Sequence, residues 1–243
     1  MNRIGKSIGL ICFLLLLNAA GLIAGEIHDA AAAGDLNKVK ALLEADPILL
    51  ESKDNNGYTP LIMACKSLQL EVANYLIDKG ANINAKNSSG ATPLYFAIKD
   101  FNLTQRLVAM GAEVNIRAYG DYTIFHQAAF SGNLKVTKLL IDHGADVNFQ
   151  GSEGNILHYL VRSSTMPNKQ IIRLLVESGV KLNQNFSFGN TELHLAVFNG
   201  LTDIIPTLVE LGADVNITNE YGHTPLYYAA MHGYPKTADA LIA

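Results

Sequence analysis

Apolar residues recur at helical spacing in short runs along most of this chain, and glycine, asparagine and aspartate separate the runs. Val72, Leu76 and Ile77 line one face of a segment closed by Gly80, and Val39, Leu42 and Leu43 line one face between Leu36 and Ala45. Such spacing predicts amphipathic helices that must bury one face against a neighbour. Other helices carry a pair of small residues, Ala64-Cys65, Ala128-Ala129 and Ala229-Ala230. The punctuation is regular. Thr59 can cap a helix, and Pro60 suits the first turn, where its missing N–H costs nothing. Gly80 ends the next helix in a conformation that other residues adopt at a cost. Asp46-Pro47 stops an earlier helix, because the residue before proline avoids the helical region.

These elements come in a fixed order. The phrase Gly57-Tyr58-Thr59-Pro60-Leu61 returns as Gly90-Ala91-Thr92-Pro93-Leu94 and as Gly222-His223-Thr224-Pro225-Leu226. About twenty residues after it comes a second phrase: Gly80-Ala81-Asn82-Ile83-Asn84, Gly111-Ala112-Glu113-Val114-Asn115, Gly144-Ala145-Asp146-Val147-Asn148 and Gly212-Ala213-Asp214-Val215-Asn216. A period of roughly 33 residues predicts stacked repeats. The pattern resembles the ankyrin repeat over essentially all of 27–243. The resemblance implies an all-α repeat solenoid, with two antiparallel helices and a sideways β-hairpin per repeat. It also implies a curved stack of about seven repeats, at about 27–53, 54–86, 87–117, 118–150, 151–184, 185–217 and 218–243. Hairpins and inner helices would line its concave face.

Individual repeats depart from the pattern. The first, around Ile27-His28-Asp29-Ala30-Ala31, is degenerate. The third is two residues shorter from Thr92 to Gly111 than the second from Thr59 to Gly80. Its helix turn is therefore expected to be abbreviated, with Phe101 and Leu103 plugging the gap. The fourth has Asp121 for the hairpin glycine, and the fifth carries extra residues from Ser163 to Asn168 that should make its helix turn project. The chain stops inside the last outer helix at Leu241-Ile242-Ala243. Without a polar capping repeat, that end is expected to mark a fragment or to pair with something.

Residues 1–25 follow another rule. Arg3 and Lys6 precede an apolar core of about ten residues, Ile8 to Leu17, and small residues follow. This is the layout of a secretory signal peptide. Cleavage after Gly21 puts Ala19 and Gly21 at the two restricted positions, and cleavage after Ala24 or Gly25 is the alternative. An uncleaved anchor would use Ile8 to Ala24, 17 residues and the short limit for a span. The repeats would still face outward. The reading is export with cleavage into the periplasm, with secretion or an uncleaved anchor as alternatives and no other membrane segment.

Composition narrows the chemistry. The formal charge of -4 becomes -6 without residues 1–25, and no basic face is evident, so nucleic acid is not the expected partner. Cys65 alone would survive cleavage and reads as a buried small hydrophobe in its inner helix. His28, His126, His158 and His194 share one repeat position. Residues one repeat apart are roughly 10 Å distant, too far to share a metal at bonds of about 2 Å. At that position a histidine can hydrogen-bond near the start of its own helix. Asp54-Asn55-Asn56-Gly57 lacks the alternating ligands and terminal glutamate of a calcium loop. The acceptor sequences at Asn87, Asn102, Asn185 and Asn216 fit turns rather than glycosylation. No catalytic constellation, metal set or cofactor motif is present, so an enzyme is not expected.

What the resemblance implies for function is recognition of another protein. One residue past the histidine position come Met63, Phe96, Tyr159, Leu195 and Tyr228. Two past the small pair come Lys66, Phe130, Phe198 and Met231. Hairpin tips add Tyr58, Tyr119, Tyr122 and Tyr221, along with Phe149, Phe186 and Phe188. Large apolar side chains on such a strip suit partner contacts. Tyr159, Leu195 and Tyr228 could equally pack between repeats, whereas tip tyrosines are expected to be exposed. The expected molecule is a monomeric exported scaffold. A secreted effector engaging a host protein, or an accessory module stabilising a periplasmic or membrane enzyme, would use the same surface.

Overall fold

Thr59, Thr123 and Thr224 open helices as the phrases predict: their hydroxyls accept from the amides of Ile62, His126 and Tyr227 at 3.3, 3.4 and 3.3 Å. In this computed structural model residues 25–118, 120, 122–152, 154–162 and 167–243 are described. The segment expected to be a signal, up to residue 24, lies outside them, as do Tyr119, Asp121, Glu153 and residues 163–166 of the expected insertion. Two compact units divide after Tyr119.

In the first unit, helical residues 25–33 (α1) precede α2 (Leu36–Ala45), α3 (Pro60–Lys66), α4 (Leu70–Asp78), α5 (Pro93–Ala97) and α6 (Phe101–Ala109). Helix α3 packs on both α4 and α5, and α2 packs on α4. In the second unit the order is α7 (Ile124–Phe130), α8 (Leu134–Asp142), α9 (Ile156–Arg162), α10 (Lys169–Glu177), α11 (Glu192–Phe198), α12 (Ile205–Glu210), α13 (Pro225–Met231) and α14 (Pro235–Ile242). Here α7, α9, α11 and α13 pack in succession, and so do α8, α10, α12 and α14. Small residues permit the close inner row: Ala128, Ala129, Ala196 and Ala229 are buried there, as Ala64 and Cys65 are in α3. Fully buried leucines such as Leu76, Leu140 and Leu208 join the rows. Burial of a leucine side chain contributes about 2 kcal/mol. Aspartate and asparagine start the outer helices, with Asp35, Asp100, Asn133 and Asn168 each accepting from an amide in its first turn. Gly80 ends α4 at φ +85, with open space around it, so backbone conformation alone requires glycine there.

Two expectations are corrected. The β-hairpins are tight turns, and no strand occurs among the described residues. Four of the turns close with a five-residue bond, Asp54 N to Tyr58 O, Asn87 N to Ala91 O, Phe186 N to Asn190 O and Asn219 N to His223 O, all between 2.8 and 3.0 Å, while Gly151 and Gly154 exchange bonds of 3.1 and 3.2 Å. The side-chain oxygen of Asp54, Asn87 or Asn219 takes two further amides of its own turn, leaving no flanking ladder to form. Consecutive turns pass a single backbone bond between them, from Ser88 N to Asn56 O at 2.9 Å and from Glu220 N to Phe188 O at 3.1 Å, and the second pair adds Asn219 Nδ2 donating to Asn190 Oδ1 at 2.9 Å. Glycine permits this approach: a Cβ on Gly189 would sit 2.9 Å from the Glu220 nitrogen.

The second correction concerns the short repeat. Its deletion falls in the helix, not in the turn: α5 has five residues against seven in α3. Ile98–Asp100 still join it to α6, as Ser67–Gln69 join α3 to α4. Ile98 and Leu103 are buried behind it, while Phe101 is only half-buried. The Thr104 hydroxyl, 2.8 Å from Ala97 O and 2.7 Å from Asp100 O, meets carbonyls that the missing turn would have engaged.

Candidate protein-binding surface

In the first unit Tyr58 and Phe96 come together, with ring centroids 6.0 Å apart, and Lys66 Nζ lies 4.4 Å above the Tyr58 ring. Tyr58, Met63 and Phe96 are all half-buried. Tyr58 therefore departs from the expected exposed tip, because the lysine and the neighbouring phenylalanine cover it.

The second unit holds two aromatic clusters. Tyr159 packs on Tyr122 at 4.5 Å and Phe130 at 5.4 Å between ring centroids. Tyr122 is half-buried by this contact, again against the expectation of an exposed tip, while Phe130 stays 41% exposed. Farther along, Phe198 lies edge-on to Tyr228 at 5.8 Å, and Phe188 faces Tyr221 at 6.0 Å. Here exposure is high: Tyr221 62%, Phe188 56%, Met231 53% and Phe198 51%. Tyr159, Leu195 and Tyr228 are half-buried, so each both packs between repeats and shows an edge. Tyr119 lies outside the described residues. Sequence reasoning missed Tyr227, exposed and stacked on His223 at 3.8 Å, and Arg162, whose guanidinium lies 5.5 Å over the Phe186 ring. Tyr227 lies outside the aligned strip positions, and Arg162 has no counterpart in the phrases.

The histidines beneath this surface are structural clasps. His158 Nδ1 accepts from Asn155 N at 3.3 Å, at the start of its own helix, and Nε2 donates to Gln184 O at 2.8 Å in the next repeat. His194 repeats the arrangement, from Thr191 N at 3.2 Å to His223 O at 3.0 Å, and His28 Nε2 reaches Ser52 O at 3.0 Å. The first half of that role is the expected one; the second links repeats. Burial pushes His126 and His158 down to about 4, with Asp146 opposing at His126. For His158 the Gln184 carbonyl opposes and Arg162 assists. Burial also lowers His194. Glu192, in the place of the phrase proline, is fully buried; desolvation raises its carboxyl, and the amides of Asn183, Glu192 and Gln184 hold it partly down. Cys65 is buried, its thiol pushed up to about 12 by desolvation. Among the described residues no three His, Cys, Asp or Glu side chains form a metal-sized group, and no helix is long and apolar enough to cross a membrane. The surface around these rings is thus largely apolar and aromatic, with Lys66 and Arg162 set against individual rings.

Comparison with known proteins agrees. The family model described as "Ankyrin repeats (3 copies)" matches residues 27–118, 99–186, 125–219 and 157–243. Similar proteins include a Caenorhabditis elegans transient receptor potential cation channel subfamily A member 1 homolog, 37% identical over 53% of this chain and 11% of that protein. The human subfamily A member 1 channel is 24% identical over 72% of this chain and 13% of its own length. Ankyrin repeat and SAM domain-containing protein 6 of Rattus norvegicus is 32% identical over 66% and 15%. The chain therefore spans only 11–15% of the length of these relatives. Among solved structures, the ankyrin repeat domain of Bcl-3 superposes with a TM-score of 0.74 at 25% identity, covering 89% of this chain and 97% of that one. Ankyrin repeats are generally protein–protein interaction modules, and by its repeats, helix pairs and matched residues this chain belongs to the ankyrin-repeat family.

Proposed function

We propose that this protein is a monomeric, exported scaffold of seven repeats that binds another protein through its turn tips and inner helices. The observation that carries the reading is the run of large apolar side chains left exposed in the second unit, the rings of Phe130, Phe188, Phe198 and Tyr221 and the Met231 thioether. Exposed rings of this size are uncommon unless something covers them. The contact residues on this reading are the strip positions named above, Tyr119 among them. A stack built in advance has little ordering entropy left to lose, so binding is largely rigid-body. Export to the periplasm rests on the layout of residues 1–25.

Fractionation of tagged full-length protein, with mass spectrometry of its mature N-terminus and of crosslinked species, tests both halves. A periplasmic or secreted form starting near Leu22 or Glu26, crosslinked to one protein, supports the reading. An intact cytosolic form would overturn export. For the surface, Phe130→Ala, Phe198→Ala and Tyr221→Ala should each weaken capture of that partner while thermal stability stays unchanged. Loss of stability in all three would make them core.

A further inference from the structure

Phe188 and Tyr221 stand on consecutive turns, and with Phe198 of α11 and Tyr228 of α13 they line a slot of about 360 Å³. The walls are held from within the unit. Phe188 faces Tyr221 at 6.0 Å and its carbonyl accepts from Glu220 N at 3.1 Å. Asn219 Nδ2 donates to Asn190 Oδ1 at 2.9 Å and to the Tyr228 hydroxyl at 3.0 Å. Among the described residues lining the slot none is ionised at neutral pH: burial lowers His194, whose ring nitrogens engage Thr191 and His223. Arg162 lines the neighbouring groove instead, where its guanidinium is held over Phe186.

Elsewhere the chain covers its own rings with cations, Lys66 over Tyr58 and Arg162 over Phe186. The slot lacks such a cover. Seven residues after Thr59 comes Lys66, whereas seven after Thr191 comes Phe198. The surroundings are acidic as well. Residues 185–243 hold one basic residue, Lys236, against six acidic ones, of which only Glu192 is buried. Glu220 is exposed beside both walls, next to Tyr221 in the chain and with its side chain alongside Gly189. Aromatic faces are themselves negative, so rings, an adjacent carboxylate and an acidic field together favour a cation and disfavour an anion.

We propose that the slot receives an arginine side chain of the partner protein, its guanidinium stacked among the four rings and its outer N–H groups on the Glu220 carboxylate. The inference rests on the protein-binding reading and specifies its partner's chemistry. Arginine fits better than lysine because the polar groups of the slot are already engaged: the Asn190 amide meets Ser187 and Asn219, and His194 is committed as described. An ammonium there would leave strongly hydrated N–H groups unpaired. A guanidinium is weakly hydrated, stacks flat on rings and offers a carboxylate two parallel bonds. A leucine or phenylalanine would fill the volume and leave Glu220 unanswered.

The test uses the full chain and end-blocked Gly/Ser pentapeptides with a central Arg, Lys, citrulline or Leu, followed through the aromatic NMR signals. The Arg peptide should shift those signals saturably, with a Kd at or below about 5 mM. Citrulline keeps the shape and loses the charge, so it should bind about fivefold more weakly, and so should Lys. Tyr221→Leu should erase the preference for Arg, and Glu220→Gln should weaken the Arg peptide about threefold while leaving the Leu peptide unchanged. Glu220→Gln keeps the backbone bond to Phe188, so it carries the test if Tyr221→Leu lowers the circular-dichroism melt. The inference is overturned if the Arg peptide does not saturate, if Lys, citrulline or Leu binds as tightly, or if Glu220→Gln leaves the Arg peptide unchanged. A crosslinked partner whose capture is unaffected by Glu220→Gln would overturn it while leaving the protein-binding reading standing. Absence of any crosslinked protein would remove both.

Discussion

Asn148 spans one repeat with both ends of its amide: Nδ2 donates to Gly179 O at 2.9 Å, and Oδ1 accepts from Lys181 N at 3.1 Å. Asn84 and Asn183 do the same, to Gly111 and Glu113 and to Gly212 and Asp214. Each amide satisfies a carbonyl left unpaired at the C-terminus of an outer helix. Asn148→Ala should therefore lower unfolding free energy by about 1–2 kcal/mol in urea titration. Asn183→Ala should cost more, because Asn183 also sits at φ +60, which asparagine tolerates and alanine does not. Equal losses, or none, would show that water replaces the clasp. Asn84 and Asn148 were legible as the last letter of the Gly-Ala phrase, whereas Asn183 follows Gly179-Val180 and fell outside it. Their reach was not, because a partner 31 residues away leaves no local signal. Glu192 raises a sharper residue-scale question. Its carboxyl holds a proton more strongly folded than unfolded, so its contribution to stability is present below the ordinary carboxylate range and is lost as pH rises through the raised value. Glu192→Gln should be more stable than the parent at pH 7, and that advantage should shrink by pH 4. An advantage that grows toward acid would contradict the buried-acid picture.

At the scale of the element, the helices were legible because cap, proline and apolar spacing all agree within one window. The turns were not. Their composition suits a hairpin, but the Asx side chains compete with strand pairing for the same amides and win, as at Asp54 and Asn87. Likewise the two missing residues could have come from either the turn or α5. Keeping the Asp100 cap on Leu103 N at 2.8 Å decides for the helix. The turn at 186–190 carries its own prediction. Phe188→Gly removes a left-handed bulky residue, a relief of about 1–2 kcal/mol that glycine's extra backbone entropy partly offsets, by about 0.5–1 kcal/mol. Its thermal midpoint should stay level or rise, while capture of the crosslinked partner falls. A marked drop in the midpoint would show that the ring–ring contact with Tyr221 holds the two turns together.

At the scale of the whole molecule, stability is a property of neighbours: within each unit helices bury their neighbours, and the histidine clasps recur in both units. His126 and His158 lie near 4 when folded and near 6.5 when free, so the unfolded chain binds more protons between those values. Their contribution is complete above about pH 6.5 and is lost as pH falls toward 4, by roughly 3 kcal/mol for each. Urea midpoints at pH 7.5, 5.5 and 4.5 should fall steeply for the parent and less for His126→Gln/His158→Gln. Parallel curves would show that these rings are not kept neutral. The architecture of the chain was legible from its phrases, since a repeat announces itself several times over. Of the candidate surface, the sequence proposes positions but not their degree of exposure. Whether Tyr221 stands clear while Tyr58 is covered depends on what the adjacent turn presents, Phe188 in one case and Lys66 with Phe96 in the other.

Cys65 gives this stack a built-in clock. In a chain beginning after residue 25 it is the sole thiol, packed at zero exposure inside α3 with its proton held to about 12. A maleimide or disulfide reagent needs thiolate and access, and the closed helix pair offers neither. Labelling therefore proceeds only when α3 lifts from its neighbours. Its rate, read on native protein without denaturant and divided by the reagent's rate with the unfolded thiol, gives the open population of one chosen repeat, and a partner that grips α3 should lower it.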